Sequence, residues 1–200
     1  MAEREQNPTG KAELEILLFE DADKWTTWLE ANHGSSRGVW LRLARKAAAL
    51  ESISYAQALD GALCFGWIDG QAKSYDSDSW LQKFTPRARQ SLWSKVNREK
   101  VALLIQNGQM RPAGLLAIKS AQQDGRWERA YDSPSQAQVP DDFAAQLEAH
   151  PAAKEFFETL NKTNRYAILF RIQTAKKAET RASRIEKFIL MLEKGEKIYP

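Results

Sequence analysis

The spacing of apolar side chains changes along the chain from a mixture of two patterns to a single one. Residues 38–46 alternate between two sides, which is the pattern of a half-buried strand: Val39, Leu41 and Leu43 fall on one side, and Trp40, Arg42, Ala44 and Lys46 fall on the other. Residues 55–65 instead carry apolar side chains at helical spacing behind Ser54 and Gln57, which match a capping box. After Asp141 every apolar cluster has helical spacing. The pattern therefore predicts an α+β fold: a small antiparallel sheet packed by helices, with an all-helical C-terminal third.

A hairpin is predicted at the centre of this fold. Residues 67–75 and 79–85 have the composition of strands on either side of a polar turn, and together with the alternating segment they would form the sheet. Thr85 is then predicted to cap a helix that starts at Pro86. Proline suits the first helical position because the N–H of that residue has no helical partner.

The domain boundaries follow from composition. Residues 1–11 are predicted to be a flexible leader, and residues 12–135 an α+β core that contains the hairpin. Residues 126–140 are rich in Ser, Pro, Gln and Asp with little periodicity, so we expect a surface connection there. Residues 136–200 are predicted to be a C-terminal helical segment packed on the core. Because 200 residues with 43% hydrophobic side chains suit one compact core, we expect one domain overall.

Composition also limits the compartment and the chemistry. Cys64 is the only cysteine and lies in an apolar run, so we expect a buried thiol in a reducing compartment. No apolar run approaches the roughly 18 residues of a membrane span, and the first residues lack the apolar stretch of a secretory signal. The expected location is the cytoplasm, without membrane insertion. Two histidines and one cysteine do not favour a zinc site, and neither a phosphate-binding loop nor a hydrolase elbow is present, so no cofactor is predicted.

One face of the first hairpin strand has the side chains of a binding wall. Strict alternation from Trp67 would place Asp69, Gln71, Lys73 and Tyr75 on the same side of the sheet. An aromatic ring, an acid, an amide, a cation and a phenol together suit a polar ligand. The alternative is a solvated face on which Asp69 and Lys73 pair with each other.

Two arginines extend this candidate site. Arg87 and Arg89 would occupy the first turn of the predicted helix, where the helix dipole disfavours cations by roughly 0.3–1 kcal/mol each. An anion held by the arginines and by the free N–H groups of the helix start would remove that conflict. The alternative is an internal carboxylate supplied by one of the nearby aspartates, Asp69, Asp76 or Asp78.

The charge of the chain is unevenly distributed. The formal net charge is +3, but residues 162–187 carry eight Lys and Arg against two Glu, a local excess of +6. A basic stretch of this kind is compatible with binding of nucleic acid, although its cations alternate with core positions and would also suit a solvated helix face.

Several blocks of residues in a fixed order are found between about Trp25 and Gly195. They include Gly66-Trp67-Ile68-Asp69-Gly70-Gln71, Phe84-Thr85-Pro86-Arg87, Trp93-Ser94-Lys95-Val96-Asn97 and Gly125-Arg126-Trp127. With these blocks the chain resembles the YdeI/OmpD-associated family, also called the bacteriocin-protection family. The family is bacterial and is linked to tolerance of bacteriocins or cationic antimicrobial peptides, and it has no established reaction or cofactor. The resemblance implies the same link for this chain and carries over no catalytic residue.

These observations predict a non-enzymatic binding protein linked to bacteriocin, antimicrobial-peptide or stress tolerance, with a pocket for an anionic small molecule or a protein carboxylate. One alternative is an enzyme in which Asp69 is the acid or base, Lys73 or Tyr75 assists it, and Arg87 is an electrophilic clamp. Binding of nucleic acid by the basic C-terminal helices is a second alternative. The predicted ligand-binding residues are Trp67, Asp69, Lys73, Tyr75, Arg87 and Arg89.

Overall fold

A computed structural model describes residues 13–46 and 48–200, so the predicted leader at 1–11 lies outside the described residues. The described chain is α+β, as predicted. In chain order its elements are β1 (Ile16–Leu17), α1 (Ala22–Asn32), β2 (Val39–Ala44), α2 (Tyr55–Cys64), β3 (Trp67–Ser74), β4 (Ser79–Pro86), α3 (Lys95–Gln106), α4 (Pro112–Gln123), α5 (Asp141–Ala149), α6 (Pro151–Thr159), α7 (Lys162–Gln173) and α8 (Ala178–Glu193).

The chain divides into two compact units. The first contains the residues up to Ser91 and the segment Lys100–Ser120, and the second contains Leu92–Glu99 and Ala121–Pro200. The sheet lies in the first unit, and helices α5 to α8 lie in the second. The single-domain arrangement with the helical segment packed on the core stays a prediction.

The sheet of the first unit has the strand order β1-β2-β4-β3. Strands β2, β4 and β3 are antiparallel, as predicted, but the short edge strand β1 pairs with β2 in parallel, with Ile16 beside Trp40. The sheet is therefore mixed. In β2 the side chains of Val39, Leu41 and Leu43 are buried and alternate with half-buried ones, which confirms the predicted alternation.

Helices α1 and α2 cover the buried face of the sheet with aromatic side chains. The Ser54 capping box is present at the start of α2, which confirms that prediction. In α1, Trp25 is fully buried and its Nε1 donates to the carbonyl of Ala58 at 3.0 Å. Gly61 allows this approach, because a Cβ at that position would lie 2.8 Å from the Trp25 ring.

Strand β3 contains a bulge that the sequence pattern did not predict. Asp69 pairs with Phe84, but further along the strand Ala72 pairs with Gln82. Two residues of β3 therefore stand opposite the single residue Lys83, which is the count of a β-bulge. Every side chain after the bulge lies on the opposite face from the one that strict alternation assigns to it.

A buried glutamine stabilises the bulge. Gln82 is only 4% exposed, and its Nε2 donates to the carbonyls of Gly70 at 2.9 Å and Gln71 at 3.3 Å. A bulged residue leaves the regular ladder unpaired, so these bonds satisfy backbone acceptors that would otherwise lack a partner inside the protein.

The prediction that a helix starts at Pro86 is wrong. Thr85 and Pro86 are the last residues of β4, where Pro86 stands opposite Trp67, and the amide of Arg87 donates to the carbonyl of Gly66 at 3.0 Å. Proline without an N–H is tolerated at the end of a strand for the same reason as at the first position of a helix. Helix α3 begins only at Lys95.

The second unit has a helical core. Helices α5 and α6 are separated at His150, and Pro151 is the first residue of α6. The predicted surface connection at 126–140 is partly wrong, because Arg126 and Ala130 are buried and Arg126 bonds Asp124 at 2.8 Å. The core of this unit consists of apolar side chains from α5 to α8: Phe143, Leu147, Ala153, Phe157, Leu160, Ile168, Leu169, Ile172, Ile185, Ile189 and Leu192.

Candidate functional site

The bulge in β3 separates the predicted binding wall into two parts. Trp67 and Asp69 precede the bulge and lie on the face covered by α1 and α2. Trp67 is 1% exposed, and its Nε1 donates to the carbonyl of His33 at 3.1 Å, so it belongs to the core. Asp69 accepts a hydrogen bond of 2.7 Å from the hydroxyl of Tyr55.

Lys73 and Tyr75 follow the bulge and lie on the other face of the sheet. The Nζ of Lys73 is 4.5 Å from the centroid of the Trp40 ring, and the guanidinium carbon of Arg42 is 5.3 Å from the centroid of the Tyr75 ring. The prediction of one wall from Trp67 to Tyr75 is therefore wrong, because it assumed a regular strand. The sheet also separates Asp69 from Lys73 and Tyr75, so the acid and assisting groups of the enzyme alternative do not meet.

The two predicted arginines are not at a helix start. Arg87 follows the last residue of β4, and its Nε and Nη2 atoms are buried. Arg89 is exposed in a turn. These cations therefore do not oppose a helix dipole. The reason for expecting a bound anion at this point is removed as well. A role of Arg87 or Arg89 in ligand binding stays a prediction.

A different group of side chains does come together, and we call it the Trp40 face: Trp40, Arg42, Lys73, Tyr75 and Lys83. Trp40 and Lys83 are direct cross-strand partners, so their side chains share a face. The Nζ of Lys83 is 5.9 Å from the centroid of the Trp40 ring, the same indole that Lys73 approaches. One aromatic ring thus lies beside two ammonium groups.

The sheet order explains how Lys73 reaches this ring. Lys73 lies on β3 opposite Leu81, and Leu81 lies opposite Arg42 on β2. The lysine side chain therefore has to cross β4 to approach Trp40, and Leu81 beneath that path is fully buried. A lysine stem covers apolar surface in this way while its ammonium group stays in water.

The hairpin turn holds the rest of the face in place. Asp76 accepts hydrogen bonds from the Ser79 hydroxyl at 2.7 Å, the Asp78 amide at 3.0 Å and the Arg42 guanidinium at 2.8 Å. The bond from Ser79, followed by those from the backbone, lowers the pKa of Asp76 below its ordinary value. Arg42 also donates from Nε to Ser79 at 2.9 Å. These bonds hold the Arg42 side chain in place, and the positive charge of Arg42 compensates the negative charge of Asp76.

The two lysines keep their charge uncompensated. Within residues 13–46 and 48–200, neither Lys73 nor Lys83 forms an ion pair with a carboxylate, and Lys73 is exposed. Two ammonium groups beside an indole and a half-exposed tyrosine can bind an anionic group by charge and a flat group by stacking. Sequence reasoning missed Trp40, Arg42 and Lys83, although the alternation of residues 38–46 already placed the first two on the polar side.

Other chemistry finds less support in the described residues. They contain no group of three or more His, Cys, Asp or Glu that could hold a metal ion. Cys64 is buried, as predicted, and burial raises the pKa of its thiol to about 11, so almost no thiolate is present at neutral pH. None of the helices in the part of the chain that is described combines the length and the apolar character needed to cross a membrane.

Comparison with known protein families assigns both parts of the chain. Residues 17–117, just over half of the chain, match the family described as a domain of unknown function, DUF8412. The chain belongs to the DUF8412 family. Residues 136–195 match the family described as bacteriocin-protection, YdeI or OmpD-associated, which confirms the resemblance drawn from the sequence for this part of its range. No curated protein and no solved structure matches the chain.

The two family matches cover different features of this DUF8412 chain. Most of the blocks that carried the resemblance, and the whole Trp40 face, lie within residues 17–117. The YdeI/OmpD-associated match covers α5 to α8, and its description links it to bacteriocin protection.

The basic stretch of residues 162–187 lies inside the YdeI/OmpD-associated match. Four of its eight cations make internal contacts, which leaves fewer of them to neutralise phosphates. Arg165 lies over the Phe157 ring at 4.7 Å, Arg171 donates to the Ala167 carbonyl at 2.9 Å, Arg181 pairs with Asp142 at 2.6 Å, and Arg184 donates to the Arg171 carbonyl. Binding of nucleic acid by this stretch stays a prediction.

Proposed function

We propose that this chain is a non-enzymatic binding protein that acts in bacteriocin protection and uses the Trp40 face to bind an anionic group of a small molecule or a protein carboxylate. The description of the family matched at residues 136–195 supports the link to bacteriocin protection. The Trp40 face supports the binding role.

One observation carries the proposal: two lysines approach the same indole and have no carboxylate partner in the described chain. Elsewhere on this face the charges are compensated, since Asp76 pairs with Arg42 at 2.8 Å. An anion bound beside Lys73 and Lys83 therefore gains attraction without displacing an internal ion pair. A lysine ammonium is a point charge without a fixed orientation. The face therefore attracts compact anions without selecting one arrangement of their oxygen atoms.

The rings of the Trp40 face add a second requirement for the ligand. Trp40 is half-buried and Tyr75 is 50% exposed, so both offer ring surface next to the cations. A ligand that joins an anionic group to a flat apolar group would contact both. A purely inorganic anion should bind more weakly, because it uses the lysines alone.

Isothermal titration calorimetry at low ionic strength tests the proposal with three probes: inorganic phosphate, citrate and phenyl phosphate. Phenyl phosphate joins an anionic group to a flat ring and should bind most tightly. The double variant Lys73→Gln/Lys83→Gln should weaken binding of the tightest probe about tenfold, which corresponds to about 1.4 kcal/mol. The control is Lys119→Gln/Lys176→Gln, which removes one exposed lysine of α4 and one from the turn between α7 and α8 and should leave the Kd within about twofold of wild type. Equal weakening in both double variants, or no binding of any probe by wild type, would contradict the proposal.

A further inference from the structure

A long groove lies between α5 and α8 in the second unit. Its volume is about 950 Å³, and its lining follows α8 from Ala178 to Leu190. At 1.5 Å per helical residue that stretch is roughly 18 Å long. A groove of this length on one side of a helix suits an elongated ligand more than a compact metabolite.

The floor of the groove is apolar. Ile185 and Ile189 belong to the core of the unit and reach the groove from below. Ala178 and Ala182 line it with small side chains, which leaves space above the helix backbone. Leu190 also lines the groove and is 50% exposed, so it offers apolar surface to a ligand.

The charges around the groove are predominantly acidic. Asp142 and Arg181, both lining residues, neutralise each other through bonds of 2.6 and 2.7 Å. Glu179 and Glu186 also line the groove and are exposed, and neither belongs to an ion pair among the described residues. At the far end His150 is held by Glu193 at 2.8 Å.

Helix α5 adds to this negative charge, because it carries Asp141, Asp142 and Glu148 and contains no lysine or arginine. The charges of α8 itself cancel, but its basic residues Arg184 and Lys187 do not line the groove, and the Arg184 guanidinium instead donates to a backbone carbonyl of α7. The residues that line the groove therefore carry a net negative charge, although the chain as a whole is basic.

We infer that the α5–α8 groove binds an amphipathic cationic helix of a partner peptide or protein. Apolar side chains of the partner at helical spacing would contact Ile185, Ile189 and Leu190, and its Lys or Arg side chains would face Glu179 and Glu186. This is the helix-in-groove mode of recognition, in which the apolar face supplies affinity and the charges select the partner. The inference concerns a surface distinct from the Trp40 face and takes a ligand of opposite charge.

Fluorescence anisotropy of labelled synthetic peptides tests the inference with the full chain. The probe is an amphipathic helix of Lys and Leu, and the comparison peptide has Glu in place of each Lys. The two peptides are compared on the Lys73→Gln/Lys83→Gln chain, because the intact Trp40 face is itself proposed to bind carboxylates. This chain should bind the Lys peptide and not the Glu peptide. The double variant Glu179→Gln/Glu186→Gln should raise the Kd of the Lys peptide about fivefold, and Leu190→Ser should raise it further by removing apolar contact.

The control removes the same two charges from another helix. Glu155→Gln/Glu158→Gln changes two exposed glutamates of α6 outside the groove and should leave the Kd within about twofold. Equal loss in the two double variants would show unspecific attraction and overturn the inference. Equal binding of the Glu peptide, or no binding of either peptide, would overturn it as well.

Discussion

Replacement of Gly114 by alanine is expected to destabilise the first unit, because this glycine lets α4 approach the end of α2. An added Cβ at Gly114 would lie 2.3 Å from the carbonyl oxygen of Cys64 and 2.8 Å from that of Leu63. Ordinary contacts begin near 3.4 Å, so α4 would have to move away by about 1 Å. Both opposing atoms are backbone, and neither can turn aside as a flexible side chain can.

The expected magnitude combines two opposing terms. Overpacking lowers the free energy of unfolding by about 1–3 kcal/mol, and we expect a value near the upper end because the opposing atoms are backbone oxygens. Replacement of a helical glycine by alanine stabilises the helix by roughly 0.5–1 kcal/mol, which offsets part of this loss. We therefore expect Gly114→Ala to lower the free energy of unfolding by about 2 kcal/mol. Gly34→Ala is the matched control: it has no atom within 4 Å of the added Cβ, and its stability should be unchanged or higher by about 0.4–1 kcal/mol.

Urea unfolding followed by tryptophan fluorescence measures this difference. Five of the seven tryptophans lie in the first unit, so the signal reports mainly on the unit that contains Gly114. The midpoint of Gly114→Ala should decrease at an unchanged slope. A Gly114→Ala protein within about 0.5 kcal/mol of wild type would refute the close packing of α4 against the end of α2.

Three further predictions concern individual groups. Ser54→Ala removes the capping box of α2 and should cost about 1 kcal/mol of unfolding free energy, measured by the same urea titration against Ser77→Ala, which changes an exposed serine of the hairpin turn. Because the pKa of Asp76 is lowered in the folded chain, its contribution is complete above its ordinary value of 3.8 and is lost as the pH falls through the folded value. Thermal melts should thus show Asp76→Asn below wild type at pH 7 and a shrinking difference under acid, and a difference independent of pH would contradict this. Cys64, with a pKa of about 11, should react with a thiol reagent at pH 8 only upon unfolding, and fast labelling of the folded chain would contradict its burial.

Local patterns predicted the elements whose stability depends on residues close in sequence. The capping box at Ser54 and the alternation of β2 require only a few neighbouring side chains, and both are present. The helices after Asp141 also follow from spacing alone, with Pro151 marking the break between α5 and α6.

The errors lie where distant residues decide the outcome. The bulge in β3 depends on Gln82, which is far from Gly70 in sequence and becomes its partner only when the strands pair. Pro86 fits the end of a strand and the start of a helix equally well, and only its pairing with Trp67 selects the strand. The Trp40 face was not predicted, because the approach of Lys73 and Lys83 to one indole requires the strand order β2-β4-β3.

An NMR titration of the isotope-labelled chain with phenyl phosphate tests the binding role of the Trp40 face, because it maps the bound anion onto individual residues. The largest shift changes should cluster at the backbone amides of Trp40, Lys73 and Lys83, and the Lys73→Gln/Lys83→Gln protein should lose them. Changes centred on Arg87 and Arg89, or small changes spread evenly over all exposed lysines and arginines, would contradict the assignment of the Trp40 face as the binding surface.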